Sequence, residues 1–227
     1  MTSLVLGTIF FVGIHLFVSG TRLRDRLTER IGEKLYLGLF SLASLGGIVW
    51  TCAAYSAAPA IILWQDLPGA GALAVAGTLI AFLLAVVGLT TPSPTAAGGE
   101  ALLDSGDPAV GILRVTRHPF LWGVVIWATV HLLTNGDAAS LVFFGGLLFL
   151  SLRGPGSIDA KRARKLGDQW EVFAARTSIV PFAAILGGRN HLVLSEIPVW
   201  KPVVAVAAWA GMLATHGRLF GVSPVAF

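Results

Sequence analysis

The sequence predicts an all-α polytopic membrane protein with about six transmembrane helices, in one domain over residues 1–227. The chain is 55% hydrophobic and only 12% charged, whereas a soluble domain carries about 25% charged residues. Six apolar runs are long enough to cross, or nearly cross, a hydrocarbon core of roughly 30 Å. The basic residues are concentrated in alternate loops between these runs. Together these observations place the chain in the membrane class.

The six predicted spans are bounded by the apolar runs. They cover approximately residues 2–19, 35–56, 70–90, 119–134, 139–153 and 199–215. The fourth and fifth are short and only Asn135-Gly136-Asp137 separates them, which predicts a tight helical hairpin; a re-entrant hairpin would leave five spans. No basic segment precedes the first run and Arg22-Leu-Arg24 follows it, so we expect a retained helix rather than a cleaved signal.

The distribution of charge predicts the orientation of the helices. All but one of the 16 Lys and Arg residues fall in the loops after the first, third and fifth spans. The positive-inside rule then places these three loops in the cytoplasm and both termini outside. The basic residues do not alternate with aromatic ones and no nucleic-acid motif is present, so we expect no nucleic-acid partner.

The segment 157–178 is too polar to span the bilayer. Its apolar residues have helical spacing and its basic residues come first, which predicts a cytoplasmic amphipathic helix at the membrane interface. Trp170 and Phe173 would then lie among the lipid headgroups. The alternative is a cytoplasmic helix packed on the loops.

Two histidines, His15 and His131, fall inside predicted spans. An ionisable side chain in the bilayer is unfavourable without a partner, and neutral imidazole is a common metal ligand. Gly123, Trp127 and His131 are spaced by four and share a helix face. From the span bounds we expect His15 and His131 to differ in depth by well under about 10 Å, which would suit a haem ligated on both faces. Alternatively, each imidazole hydrogen-bonds across a helix interface.

Arg117 and His118 precede Pro119, which suits the first turn of the fourth span. They would lie at its cytoplasmic mouth, near the positive end of the helix dipole, where phosphate or carboxylate is attracted. The alternative is a pair of basic residues that only fixes the topology. Motifs typical of nucleotide-driven pumps, serine hydrolases and zinc proteases are not found in the sequence.

Three parts of the sequence resemble the NnrU family of bacterial membrane proteins. They are the His15 helix with Leu23-Arg-Asp25 and Gly32-Glu-Lys-Leu-Tyr36, the string from Gly111 through Arg117-His118-Pro119 to His131, and the ending His216-Gly to Pro224. The family is named for a link to nitrite and nitric oxide metabolism in denitrifying bacteria. It also includes the 15-cis-zeta-carotene isomerases, which are membrane haem b enzymes.

This resemblance implies haem b as cofactor, with His15 and His131 as axial metal ligands. Trp127 and Gly123 would shape the pocket. Arg117 and His118 are included among the cofactor-binding residues, and Arg117 and Arg114 would pair with the haem propionates if the macrocycle reaches the cytoplasmic side. The isomerases carry a ligand-exchanging cysteine where this chain has Ala128, so enzyme status stays open. The function implied is redox-linked cis–trans isomerisation of a polyene, a role in nitrite or nitric oxide metabolism, or a non-enzymatic haem sensor or accessory subunit.

The sequence also resembles, more distantly, the membrane methyltransferases of isoprenylcysteine and phospholipids. The residues that carry this resemblance are Arg117-His118-Pro119 and Asp159. It implies S-adenosylmethionine as the alternative cofactor and lipid methylation as the alternative reaction. Leu121 replaces the tyrosine of that motif, and Asp159-Ala160 replaces its glutamate pair. In either case we expect membrane lipid and an apolar small molecule as partners, in the bacterial inner membrane. The sequence does not predict an oligomeric state.

Overall fold

The structure is a computed structural model that describes residues 1–65, 68–104 and 106–224. Within these ranges the chain is helical and contains no β-strand. The helices are α1 (Thr2–Gly13), which continues as a π-helical segment (Ile14–Ser19), α2 (Arg22–Ile31), α3 (Glu33–Ser56), α4 (Ala70–Leu89), α5 (Ile112–Val115), α6 (Pro119–Thr134), α7 (Ala138–Leu166), α8 (Asp168–Arg176), α9 (Ala183–Leu186) and α10 (Trp200–Phe220).

The all-α membrane fold predicted from the sequence is confirmed. Five helical segments are long and apolar enough to cross a membrane: Thr2–Ser19, α3, α4, α7 and α10. Helix α6 is shorter, at 16 residues, but it runs antiparallel along α4, with Pro119 beside Gly88 and Val130 beside Gly77. It therefore connects opposite ends of the bundle and is not re-entrant. Helix α7 extends beyond the predicted end at residue 153, to Leu166.

The six long helices pack in the order α3, α1, α7, α6, α4, α10, so that α7 lies between α1 and α6. One end of the bundle holds the α6–α7 turn at residues 135–137, and we call it the hairpin end. The other holds α2, α5, α8 and α9 with most of the basic residues, and we call it the charged end. That the charged end faces the cytoplasm of a bacterial inner membrane stays a prediction.

The bundle surface is apolar, as lipid contact requires. Large side chains such as Leu42, Phe17 and Val203 are 68%, 71% and 59% exposed. Buried apolar side chains form a compact core at the hairpin end, which contains Leu4, Ala128, Ala139, Phe143 and Phe144. In water such a surface would be highly unfavourable, whereas hydrocarbon is a suitable solvent for it.

The aromatic side chains of α8 do not lie at a lipid surface. Trp170 and Phe173 are 3% and 2% exposed and pack on Ala109, in the loop before α6. The predicted headgroup location of these two residues is therefore wrong, and the alternative, a helix packed on the loops, is confirmed. Amphipathic spacing shows that one face needs an apolar partner. It does not tell whether that partner is lipid or another part of the chain.

Helices α4 and α6 approach closely through small residues. A Cβ atom placed on Gly123 would lie 2.8 Å from the Ala81 carbonyl oxygen and 3.1 Å from the Ala85 Cβ. Backbone atoms of α4 cannot rotate away as a side chain can, so the helices would have to separate. This contact is typical of helix pairs in membranes.

Gly123→Ala is therefore expected to lower the free energy of unfolding by about 1–3 kcal/mol, the usual range for overpacking. Chemical unfolding in mixed micelles, followed by circular dichroism, would measure the change. The matched control is Gly145→Ala on α7, where the nearest atom to the new Cβ would be 3.9 Å away. Equal stability of the two variants would contradict the close packing of α4 on α6.

Candidate functional site

His131 lies near the hairpin end of α6 in an aromatic surrounding. Its Nδ1 is 2.7 Å from the Trp127 carbonyl oxygen, and its ring centroid lies 4.8 Å from that of Trp127 and 4.7 Å from that of Phe144. Because the acceptor is a carbonyl, Nδ1 carries the proton and Nε2 keeps its lone pair. None of the described residues forms a hydrogen bond with Nε2. This atom is not fully buried, so it is accessible. The Nε2 lone pair is therefore available to a ligand.

His15 has the same local arrangement on α1. Its Nδ1 is 2.7 Å from the Phe11 carbonyl oxygen, and its ring lies 4.5 Å from the Phe11 ring and 5.1 Å from the Phe40 ring. It belongs to the π-helical segment Ile14–Ser19, a deviation that often marks functional sites. Its Nε2 is likewise without a partner among the described residues.

The two histidines lie at different depths. Helix α1 runs parallel to α7, with Leu4 packed near Phe144 and the Gly20 carbonyl accepting from Ser157. His15 is therefore two to three turns nearer the charged end than His131, roughly 10–15 Å at 1.5 Å per residue. The predicted similar depth is wrong. The reason is the direction of the two helices. Helix α1 starts at the hairpin end and reaches His15 only 13 residues later, whereas α6 reaches the hairpin end three residues after His131.

Residues on α4 and α6 line an open apolar groove of about 160 Å³. Its lining is Ala81, Phe82, Ala85 and Val86 from α4 and Gly123, Val124 and Trp127 from α6. Trp127 lines the groove and also contacts the His131 ring, so the face predicted from the spacing of Gly123, Trp127 and His131 exists. The α4 wall was missed, although Gly77, Ala81, Ala85 and Gly88 give small residues at three- and four-residue spacing.

A buried network at the charged end contains Arg117, His118 and Asp159. Arg117 donates from Nε and Nη2 to Asp159 Oδ2 at 2.9 and 2.6 Å, and His118 Nε2 lies 2.8 Å from Asp159 Oδ1. Arg117 and His118 are 9% and 3% exposed. The mouth of α6 was predicted to attract a phosphate or carboxylate, and the structure places there the carboxylate of α7.

A second network closes the loop before α6. Arg114 donates from Nε and Nη2 to the two carboxylate oxygens of Glu196, both at 2.7 Å, and the Gly111 N–H donates to Glu196 at 2.7 Å. The Arg114 hydrogen bonds hold the pKa of Glu196 at about 2, despite partial burial. Sequence reasoning missed Glu196, which lies 82 residues from Arg114.

The predicted site residues thus form two groups. Gly123 and Trp127 line the groove and His131 contacts Trp127, whereas Arg117 and His118 bind Asp159 at the charged end. His131 and His118 are 13 residues apart on one helix, roughly 20 Å. Within the described ranges, no cluster of three or more His, Cys, Asp or Glu side chains could hold a metal ion.

The NnrU protein family matches residues 3–224. The chain is 31% identical over 193 residues to the chloroplastic 15-cis-zeta-carotene isomerase of Zea mays, covering 83% of this chain and 52% of that protein. It is 38% identical over 82 residues to the Arabidopsis thaliana enzyme of the same name, covering 36% and 22%.

The chain thus spans about half the length of the maize relative. No solved structure matches it. The family match covers almost the whole chain, including both histidine helices, the groove and the charged-end networks. The chain belongs to the NnrU family.

Proposed function

We propose that this protein binds part of a polyene chain in the apolar groove between α4 and α6 and isomerises one of its double bonds beside Trp127 and His131. The observation that supports this proposal most directly is that Trp127 both lines the groove and contacts the His131 ring. Two relatives named as 15-cis-zeta-carotene isomerases support the substrate class.

The groove suits a substrate that is dissolved in lipid. Its exposed lining is entirely apolar, and Phe82, Val86, Val124 and Trp127 are only half-buried, so they can be reached from the bundle surface. A polyene could enter sideways from the hydrocarbon without crossing water. Burial of its apolar surface against aromatic and aliphatic side chains would supply the binding energy.

Haem b, the cofactor implied by the family resemblance, fits His131 but not the pair of histidines. Metal–imidazole bonds are about 2 Å long, so one iron needs two ligating nitrogens about 4 Å apart, far less than the separation of His15 and His131. We therefore propose His131 as the single protein ligand. When bound, haem b would supply a redox-active iron able to weaken a double bond of the polyene.

The surrounding residues have separate roles in this proposal. The Trp127 carbonyl accepts the Nδ1 proton of His131 and so fixes the tautomer that presents Nε2. The Trp127 and Phe144 rings contact the imidazole and exclude water from it. Ala128, at the position of the isomerase cysteine, is fully buried against the Leu4 core. No thiolate is therefore available at this position to exchange with His131.

Val124→Trp is expected to fill the groove and reduce polyene isomerisation at least tenfold. The assay would incubate 15-cis-zeta-carotene with haem-supplemented membranes that contain the protein and separate the isomers by chromatography. The matched control is Val203→Trp, which adds the same side chain at a 59% exposed position of α10 and should keep wild-type activity.

Equal conversion by the wild type and a folded Val124→Trp variant would contradict the groove as the substrate site. Failure of the wild type to convert the polyene would contradict the isomerase function. If such a protein nevertheless bound haem and nitric oxide, a sensor or accessory role would replace it.

A further inference from the structure

The α8–α10 segment, residues 177–199, exposes large apolar side chains at the charged end of the bundle. Leu186 is 85% exposed, Leu194 is 70% exposed and Val199 is 76% exposed. Three further apolar side chains are between 43% and 56% exposed; they are Val180, Phe182 and Leu192. Single exposed leucines are normal on a soluble surface, whereas so many along one short segment indicate contact with an apolar environment.

The charged side chains of this segment are bound within the protein. Arg189 and Glu196 are its only Lys, Arg, Asp or Glu residues. The Arg189 guanidinium donates to the carbonyl oxygens of Ala175 and Thr177 at 2.6 and 3.1 Å, and Glu196 binds Arg114. The segment thus pairs its charges internally and exposes its apolar groups, which is the reverse of a loop in water.

Both ends of the α8–α10 segment lie at the boundary of the apolar bundle. Near its start, the Ile179 carbonyl accepts a hydrogen bond from the Trp122 indole N–H, in the first turn of α6, at 2.8 Å. Leu121 in the same turn lies against Gly154, where the apolar part of α7 ends. The other end of the segment leads directly into Trp200, the first residue of α10, which is 53% exposed. Trp at such a boundary is typical of the interface between membrane and water.

The apolar surface of the bundle extends to the same level. Phe120, in the first turn of α6, is 42% exposed, and Leu89, at the end of α4, is 68% exposed. Pro119 lies beside Gly88, so these two helix ends are level with each other. Lipid that covers α4 and α6 therefore reaches the depth at which the α8–α10 segment begins.

We propose that the α8–α10 segment lies in the membrane interface, with the side chains of Leu186, Leu194 and Val199 inserted among the lipid acyl chains. Interfacial segments bury their apolar side chains roughly 5–10 Å into the boundary between headgroups and acyl chains. The phospholipid layer is the partner, because the surface that the segment continues is the lipid-facing surface of α4 and α6. The inference is independent of the isomerase proposal, because it involves neither the groove nor His131.

The test is spin labelling of the full-length chain in vesicles of phosphatidylglycerol and phosphatidylcholine. Cys52, the single cysteine, is first replaced in a Cys52→Ala background, and a nitroxide is then attached to Leu186→Cys or Leu194→Cys. Oxygen concentrates in lipid and a water-soluble nickel chelate is excluded from it, so the ratio of their collision rates with the nitroxide reports its depth. We expect this ratio to be at least threefold higher at both sites than at a control site in water.

The matched control is Lys165→Cys on α7, a position whose side chain is 48% exposed. It lies 11 residues beyond Gly154 toward the charged end, roughly 16 Å at 1.5 Å per residue, and its label should collide mainly with the nickel chelate. Circular dichroism of each labelled variant would verify that the helical fold is kept.

A collision ratio at Leu186→Cys or Leu194→Cys equal to that of the control would overturn the proposal, because that part of the segment would then lie in water. Low collision rates with both reagents would also overturn it, since another protein or a second copy of this chain would then cover the segment. A preference for oxygen at both sites, with the control in water, would support it.

Discussion

Asp159→Ala is expected to lower the free energy of unfolding by about 3–5 kcal/mol, the range found when one partner of a buried ion pair is removed. The Asp159 carboxylate accepts hydrogen bonds from Arg117 and faces the His118 imidazole, and both of these residues are at least nine-tenths buried. Without it the Arg117 guanidinium stays buried with no counter-charge. Denaturant titration in mixed micelles, followed by circular dichroism, would measure the change.

The control is Asp104→Ala, since Gln169, an exposed side chain, is the one partner that this carboxylate has among the described residues, at 2.7 Å. We expect a change within about 0.5 kcal/mol there, as for most surface substitutions. Asp159→Asn keeps the shape of the side chain but removes its charge, so it should fall between the two. If Asp159→Ala kept wild-type stability but lost binding of S-adenosylmethionine, the structural role would be contradicted and the methyltransferase alternative would be favoured.

The effect is large because this network joins distant parts of the chain. Asp159 is on the extension of α7 and Arg117 precedes α6, while the Arg117 N–H donates to the Ser178 carbonyl at 3.0 Å. The Trp122 indole N–H donates to the Ile179 carbonyl at 2.8 Å. The Arg-His-Pro motif thus fixes the start of α6 against α7 and the segment that follows α8. This position makes it a structural element of the charged end.

Most of the fold could be predicted because the bilayer imposes simple rules on sequence. A spanning helix must be apolar over a fixed length and satisfy its own backbone hydrogen bonds, so the six helices and the Asn135–Asp137 turn were visible in the sequence. Helix α7 was predicted too short because charges mark where the apolar part ends, whereas the helix itself continues. The α8 aromatics were misplaced because their partner, Ala109, lies 61 residues from Trp170 in the sequence.

The candidate site was predictable only within single helices. Spacing by four correctly placed Gly123, Trp127 and His131 on one face. It could not show that α4 forms the other wall, nor that α7 separates α1 from α6. Which helices become neighbours depends on contacts between distant segments. The spacing of apolar residues within one segment carries no information about such contacts. For the same reason Asp159 was not identified as the partner of His118.

The most direct test of the central claim is the absorption spectrum of the detergent-purified protein, oxidised and then reduced with dithionite. We expect a Soret band that shifts on reduction, that His131→Ala abolishes and that His15→Ala leaves in place. The His131 ring contacts Trp127, which lines the groove, whereas the His15 ring packs on Phe11 and Phe40. Loss of the band in both variants would contradict single ligation. A wild-type band unchanged by His131→Ala, or a featureless wild-type spectrum after expression with a haem precursor, would contradict the haem site at His131 altogether.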